Sequence, residues 1–86
     1  MNATNLFEEA LAAIPMDVRT QVNWSFAIAD KIDAKLKEIG MTQKEFAKEV
    51  GKTEPEVSRW LSGTHNFTLR TLAKISSVLG EDIIKI

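Results

Sequence analysis

Eighty-six residues with a net charge of −1 and an apolar share of 44 % fit one ordinary globular domain, neither disordered nor strongly basic. With no cysteine and one histidine, His65, disulfides, thiolate metal sites and thiol nucleophiles are excluded, and no clustered ligand set for a transition metal remains. No apolar run approaches the ~18 residues of a membrane span, and Met1 to Phe7 lacks the basic stretch and apolar core of a secretory signal. A cytoplasmic location without a membrane partner is expected.

The four glycines stand far apart and form no phosphate-cradling loop, and a serine nucleophile would have only His65 as an imidazole base. The chain is expected to be no enzyme and to need no cofactor. Charge is unevenly spread: residues 1–40 carry −2, residues 41–74 carry +2 and the remainder −1. A mildly basic middle is compatible with nucleic acid.

In chain order, Asn5-Leu6-Phe7-Glu8 reads as a capping box that opens a first helix running to about Ala13, with Leu6, Leu11 and Ile14 on its buried side. Pro15 stops it. From Asp17 the chain is helical again, with a break possible near Asn23. Trp24, Ile28, Ile32, Leu36 and Ile39 recur at helical spacing as an amphipathic stripe, and Gly40 ends it. Lys31, Lys35 and Lys37 read as a solvated face.

Thr42-Gln43-Lys44-Glu45 is a second capping box, opening a short helix with Phe46, Ala47 and Val50 inward. Gly51 closes that helix. Thr53-Glu54-Pro55-Glu56 is a third box with proline in the first turn, where a missing N–H costs little. Its helix turns Val57, Trp60 and Leu61 inward and ends at Ser62-Gly63. Thr68 caps a last helix with a broad buried face from Leu69, Leu72, Ala73, Ile75, Val78 and Leu79, ended by Gly80. Asp82 to Ile86 is short and β-branched and is expected as a tail or edge strand. Trp24 and Trp60 read as core residues, and His65 as an exposed loop histidine.

Two short helices joined through Gly51-Lys52-Thr53 make a helix-turn-helix pattern. Ala47 supplies the small residue where the helices approach, and Gly51 leaves the first helix without strain. Val57 and Trp60 form the inner flank of the second helix and leave Glu54, Pro55, Ser58 and Arg59 facing outward. Arg59 is read as a base or phosphate contact, or as a surface arginine paired with Glu56 one turn away. The stretch Thr64 to Thr68 precedes a helix N-terminus, where free amides attract anions, so a phosphate is expected there, helped by Asn66, Thr68 and Arg70.

The run Thr42-Gln43, Phe46-Ala47, Gly51, Thr53, Val57-Ser58-Arg59-Trp60, Gly63 and Leu72-Ala73-Lys74-Ile75 resembles the Xre family, the helix-turn-helix class of phage Cro and cI-type repressors. The likeness covers roughly residues 26–80. It implies an all-α, five-helix repressor-like domain over residues 24–80, an N-terminal helical extension over residues 1–23, and the tail or strand at residues 81–86. The segment from Glu56 to Leu72 is similar to antitoxins of the HigA kind, which neutralise a RelE-like mRNA-cutting toxin and repress their own operon.

By position, the resemblance implies that Gln43 meets a phosphate and that Thr53 caps the recognition helix with its hydroxyl near the DNA backbone. Glu54, Pro55, Ser58 and Arg59 then occupy positions that face base edges, with Lys52, Thr64, Asn66, Thr68 and Arg70 toward the backbone, although the Glu54 carboxylate reads first as a complement to the helix N-terminus. Arg59 toward a guanine is a contact worth ~1–3 kcal/mol of discrimination. Glu54 and Pro55 depart from relatives that carry glutamines at these first positions. The expected partners are double-stranded DNA, a second copy of the chain, and a RelE-like toxin. The second copy is expected through the C-terminal strand or the fifth-helix surface, the toxin through the extension with Leu6, Phe7, Leu11 and Ile14. A helix-turn-helix used for protein contact alone is the alternative.

Overall fold

A computed structural model describes residues 3–86, giving for residues 3–5, 7 and 11 the backbone alone. Among these residues the chain forms five helices and no strand: α1 (Ala3–Ala12), α2 (Met16–Ile39), α3 (Gln43–Val50), α4 (Glu54–Leu61) and α5 (Leu69–Leu79). The fold is the all-α one that the resemblance implies.

Because α1 begins at Ala3, Asn5 sits inside the helix and not at the expected cap. The side chains of Asn5, Phe7 and Leu11, expected at a cap and on an apolar patch, lie outside the described ones. Pro15 is extended (ψ 143°), which separates α1 from α2, and its carbonyl accepts the Arg19 N–H at 3.1 Å. From there α2 runs through Asn23 without the expected break. No glycine or proline interrupts its 24 residues, so every i→i−4 bond can form over ~36 Å.

The buried line of α2 differs from the expected stripe. The residues of α2 that are buried are Ser25, Ala29, Ile32 and Leu36, whereas Trp24 is 67 % exposed and Ile39 is also exposed. Trp24 lies one residue, about 100° of helix turn, away from the buried line. Before Ser25 no residue of α2 is buried, and the domain with its arm measures 50 × 25 × 21 Å. Met16, Val18 and Val22 are exposed there.

The core gathers Ile32 and Leu36 of α2, Phe46, Ala47 and Val50 of α3, Val57 and Trp60 of α4, and Leu72, Ile75 and Leu79 of α5. Phe46 meets Trp60 edge to face, with centroids 6.2 Å apart. On α5, Leu69 is 73 % exposed and Ala73 is exposed, so the buried face is narrower than expected.

The edge strand is not formed. The tail instead buries Ile83 in the core. Ser76 Oγ donates to the Leu72 carbonyl at 2.8 Å and accepts the Ile83 N–H at 3.0 Å. Lys31 Nζ donates to the Asp82 carbonyl at 3.0 Å. With Ile83 anchored and these backbone groups satisfied by side chains, a ladder partner is not needed. Lys35 also belongs to this seam and not to a wholly solvated face: its ammonium lies 3.3 Å from Glu81 and 3.5 Å from Glu38. The Glu81 hydrogen bond is the main cause of its raised pKa, with desolvation opposing and the charges of Glu38 and Glu81 adding to it. Lys37 pairs on the surface with Asp33 at 2.8 Å.

Candidate nucleic-acid interface

The turn between α3 and α4 is built from backbone chemistry. Gly51 takes φ 71°, a left-handed conformation that lacks a Cβ penalty only for glycine. The Gly51 N–H then reaches the Lys48 carbonyl at 3.2 Å, and the Lys52 N–H reaches the Ala47 carbonyl at 2.9 Å. This pair of bonds is a Schellman ending, and it redirects the chain within three residues. Ala47 is buried at the approach of α3 to α4, as the spacing predicts.

Both helices open with a closed capping box. Thr42 Oγ1 accepts the Glu45 N–H at 3.1 Å, and Glu45 Oε1 accepts the Thr42 N–H at 3.3 Å. At α4 the Glu56 N–H donates to Thr53 Oγ1 at 3.3 Å, while Glu56 Oε2 accepts the Thr53 N–H at 2.8 Å and its hydroxyl at 3.1 Å. The Thr53 backbone N–H, then its hydroxyl, hold the Glu56 carboxyl below the ordinary glutamate range. Desolvation opposes this, and Lys52 and Arg59 add to it. Four of the orphan amides at the two N-termini are not left to chance.

The boxes decide what α4 can offer. Val57 and Trp60 are buried, and Glu54, Pro55, Ser58 and Arg59 are exposed on the opposite arc. Glu56 is turned to Thr53, and among the described residues no salt bridge holds Arg59. The alternative of an Arg59–Glu56 pair is therefore not formed, and the guanidinium is available. Gln43 is exposed at the first position of α3, and Lys52 and Thr53 are exposed in the turn itself.

The model of the helix-turn-helix family matches residues 32–86, well over half of the chain. The chain belongs to the helix-turn-helix family. Its type is that of the Cro and cI repressors, a class of DNA-binding domains, and DNA binding is the function this membership gives. Searches among curated proteins and among solved structures return no match.

In this helix-turn-helix the loop after α4 is fixed by contacts that sequence reasoning missed. His65 is half-buried, not exposed, and packs edge to face on Phe67 with centroids 4.8 Å apart. Trp60 stands 6.1 Å from His65 and 6.0 Å from Phe67. The alternation His65-x-Phe67 after a buried tryptophan is the one signal that could have disclosed this cluster. Ser62 Oγ donates to the Arg59 carbonyl at 2.6 Å and shares a hydrogen bond with the Thr64 hydroxyl at 2.9 Å. Thr68 Oγ1 accepts the Thr71 N–H at 3.1 Å and caps α5 as expected.

Thr64, Asn66, Thr68 and Arg70 are all exposed around this loop. Asn66 also lines an apolar groove against the first half of α2. The eleven sequence-predicted site residues are thus surface residues of α3, α4, the turn between them, the loop that follows, and the start of α5.

Proposed function

We propose that the chain is a sequence-specific transcriptional regulator that binds double-stranded DNA as a homodimer, with α4 in the major groove. The observation that carries this reading is the outward arc of α4, where Arg59 has no ion-pair partner among the described residues and stands beside Ser58, Pro55 and Glu54. Arg59 bridges O6 and N7 of a guanine, and Pro55 makes apolar contact, as with a thymine methyl. Glu54 accepts from a cytosine amino group or only complements the helix N-terminus. Gln43, Lys52, Thr53, Thr64, Asn66, Thr68 and Arg70 take the phosphates on either side. An eight-residue helix spans ~12 Å and reaches few base pairs, so useful affinity calls for two half-sites and two copies.

The biological setting we propose is autoregulation by the antitoxin of a toxin–antitoxin pair, with a RelE-like toxin as partner. Its support is the likeness of Glu56 to Leu72 to HigA-type antitoxins, together with exposed apolar residues on the projecting arm, among them Leu6, Ile14 and Met16.

The test is binding to the DNA upstream of the chain's own gene across a salt series, wild type beside Arg59→Ala. Affinity that falls steeply with salt, and sequence preference that disappears in the variant, support the regulator. A folded, dimeric chain that fails to bind at low salt favours a second reading, a protein-contact module that neutralises its partner without DNA. The observation behind that reading is the same exposed arm, joined to a near-neutral chain with Glu54 at the head of α4.

A further inference from the structure

The first half of α2 forms one wall of an open, apolar groove of about 920 Å³. The other walls are Phe67, Leu69 and the tail residues Ile84 and Ile86. Trp24 stands in it 67 % exposed and Leu69 73 % exposed, two large apolar side chains left in water. Along α2 the groove-lining residues include Asp17, Thr20, Trp24, Ile28 and Lys31. Their intervals are three, four, four and three, which is the same pattern read in either direction from Trp24.

We infer that a second copy of this chain docks its α2 in this groove, antiparallel, about a two-fold axis passing at Trp24. The inference rests on the homodimer proposed above and supplies its interface. In antiparallel packing about a two-fold axis at Trp24, Asp17 of one copy faces Lys31 of the other, Thr20 faces Ile28, and the two Trp24 side chains face each other. Antiparallel packing therefore sets each Asp17 carboxylate opposite the partner's Lys31 ammonium, giving two ion pairs from one symmetry operation. Parallel packing would oppose Asp17 to its own copy and Lys31 to its own copy, which repels.

Asp17 and Lys31 lie seven residues either side of Trp24, ~10 Å along the axis. At a shallow crossing of about 20° and an axial separation of ~8–10 Å, both ends stay within reach of a lysine side chain. Lys31 is already steadied at the rim by its bond to the Asp82 carbonyl and keeps two further N–H donors. A protein of another kind would give no reason for a charge pattern that is complementary to itself.

The experiment is sedimentation equilibrium on the full chain, beside Asp17→Lys, Lys31→Asp and the double variant, with circular dichroism confirming the fold. Each single variant places like charges opposite one another and is expected to raise the dimer Kd about tenfold or more, and the double variant to restore it. As a second measurement, Gln21→Cys/Ala27→Cys in this cysteine-free chain should oxidise to a covalent dimer, because positions 21 and 27 are also exchanged by the axis. A wild type that stays monomeric, singles that leave the dimer unchanged, a double variant that is not restored, or no covalent dimer from a folded sample would each overturn the inference. DNA binding measured on the same samples separates the two readings: operator binding with an unresponsive interface overturns only the interface. A responsive interface without operator binding overturns only the regulator.

Discussion

The ring of Phe26 occupies the space in which a side chain at Gly63 would stand, so α2 crosses the end of α4 at backbone distance. Gly63 is buried there with φ 87°, a conformation in which a Cβ is penalised even without a neighbour. Gly63→Ala is expected to destabilise the fold by ~2–4 kcal/mol, the left-handed strain and the overpacking each contributing. Chemical denaturation measures it. Phe26→Ala in the same background should recover the part due to overlap and leave the part due to φ; no recovery would mean the ring is not the obstacle.

Ser76 is the hinge on which the tail turns, donating to the Leu72 carbonyl and receiving the Ile83 N–H. Ser76→Ala leaves that N–H without its acceptor and should cost about 1–2 kcal/mol. Hydrogen exchange at Ile83 should accelerate selectively while amides of α3 and α4 keep their protection. Unchanged exchange at Ile83 would show that the tail is held by burial alone.

The carboxyl of Glu56 is held below its ordinary pKa by Thr53, so the folded chain binds that proton more weakly than the unfolded chain. Its stabilising contribution is then complete above the unfolded glutamate value and is lost as pH falls through the folded one. Glu56→Gln should be less stable than wild type at neutral pH and converge on it in acid. Urea melts between about pH 3 and pH 7 give both curves, and parallel curves would remove Glu56 from the acid response.

On DNA, Lys52 and Arg59 should fail differently. Lys52→Ala is expected to weaken binding to all sequences alike and to reduce the salt slope by about one, as the loss of one phosphate contact does. Arg59→Ala should cost ~1–3 kcal/mol at the preferred base and little elsewhere. Fluorescence anisotropy on an operator and a scrambled duplex distinguishes them. A uniform loss with Arg59→Ala would reassign that side chain to the backbone.

Much of the fold was legible in sequence because its signals are local. Thr42 with Glu45, Thr53 with Glu56, and Thr68 are caps whose donors and acceptors lie within three residues. Gly40, Gly51 and Gly80 end helices through backbone geometry of the same short range. Val57 and Trp60, three apart, settled which side of α4 faces the core and so which four residues could face a ligand.

What sequence left open depends on surfaces that meet only in three dimensions. Trp24 continues an apolar stripe at helical spacing, yet it is exposed, because the domain covers the neighbouring arc of α2 that carries Ser25 and Ala29. Periodicity shows that a helix has an apolar arc and not the bearing from which its partner approaches. Asp82 to Ile86 has the composition of a strand, but a strand needs an edge, and the tail met Ser76, Lys31 and a place in the core for Ile83 instead. His65 looked solvent-borne for the same reason: the alternation His65-x-Phe67 hints at a shared side, but only the folded loop brings both rings onto Trp60. The sequence by itself determined α3, α4 and α5, their ends and the outward arc of α4, through hydrogen bonds spanning a few residues. Only the tertiary structure decided where the apolar surface stops, because burial is a property of two surfaces in contact and the chain states only one of them at a time.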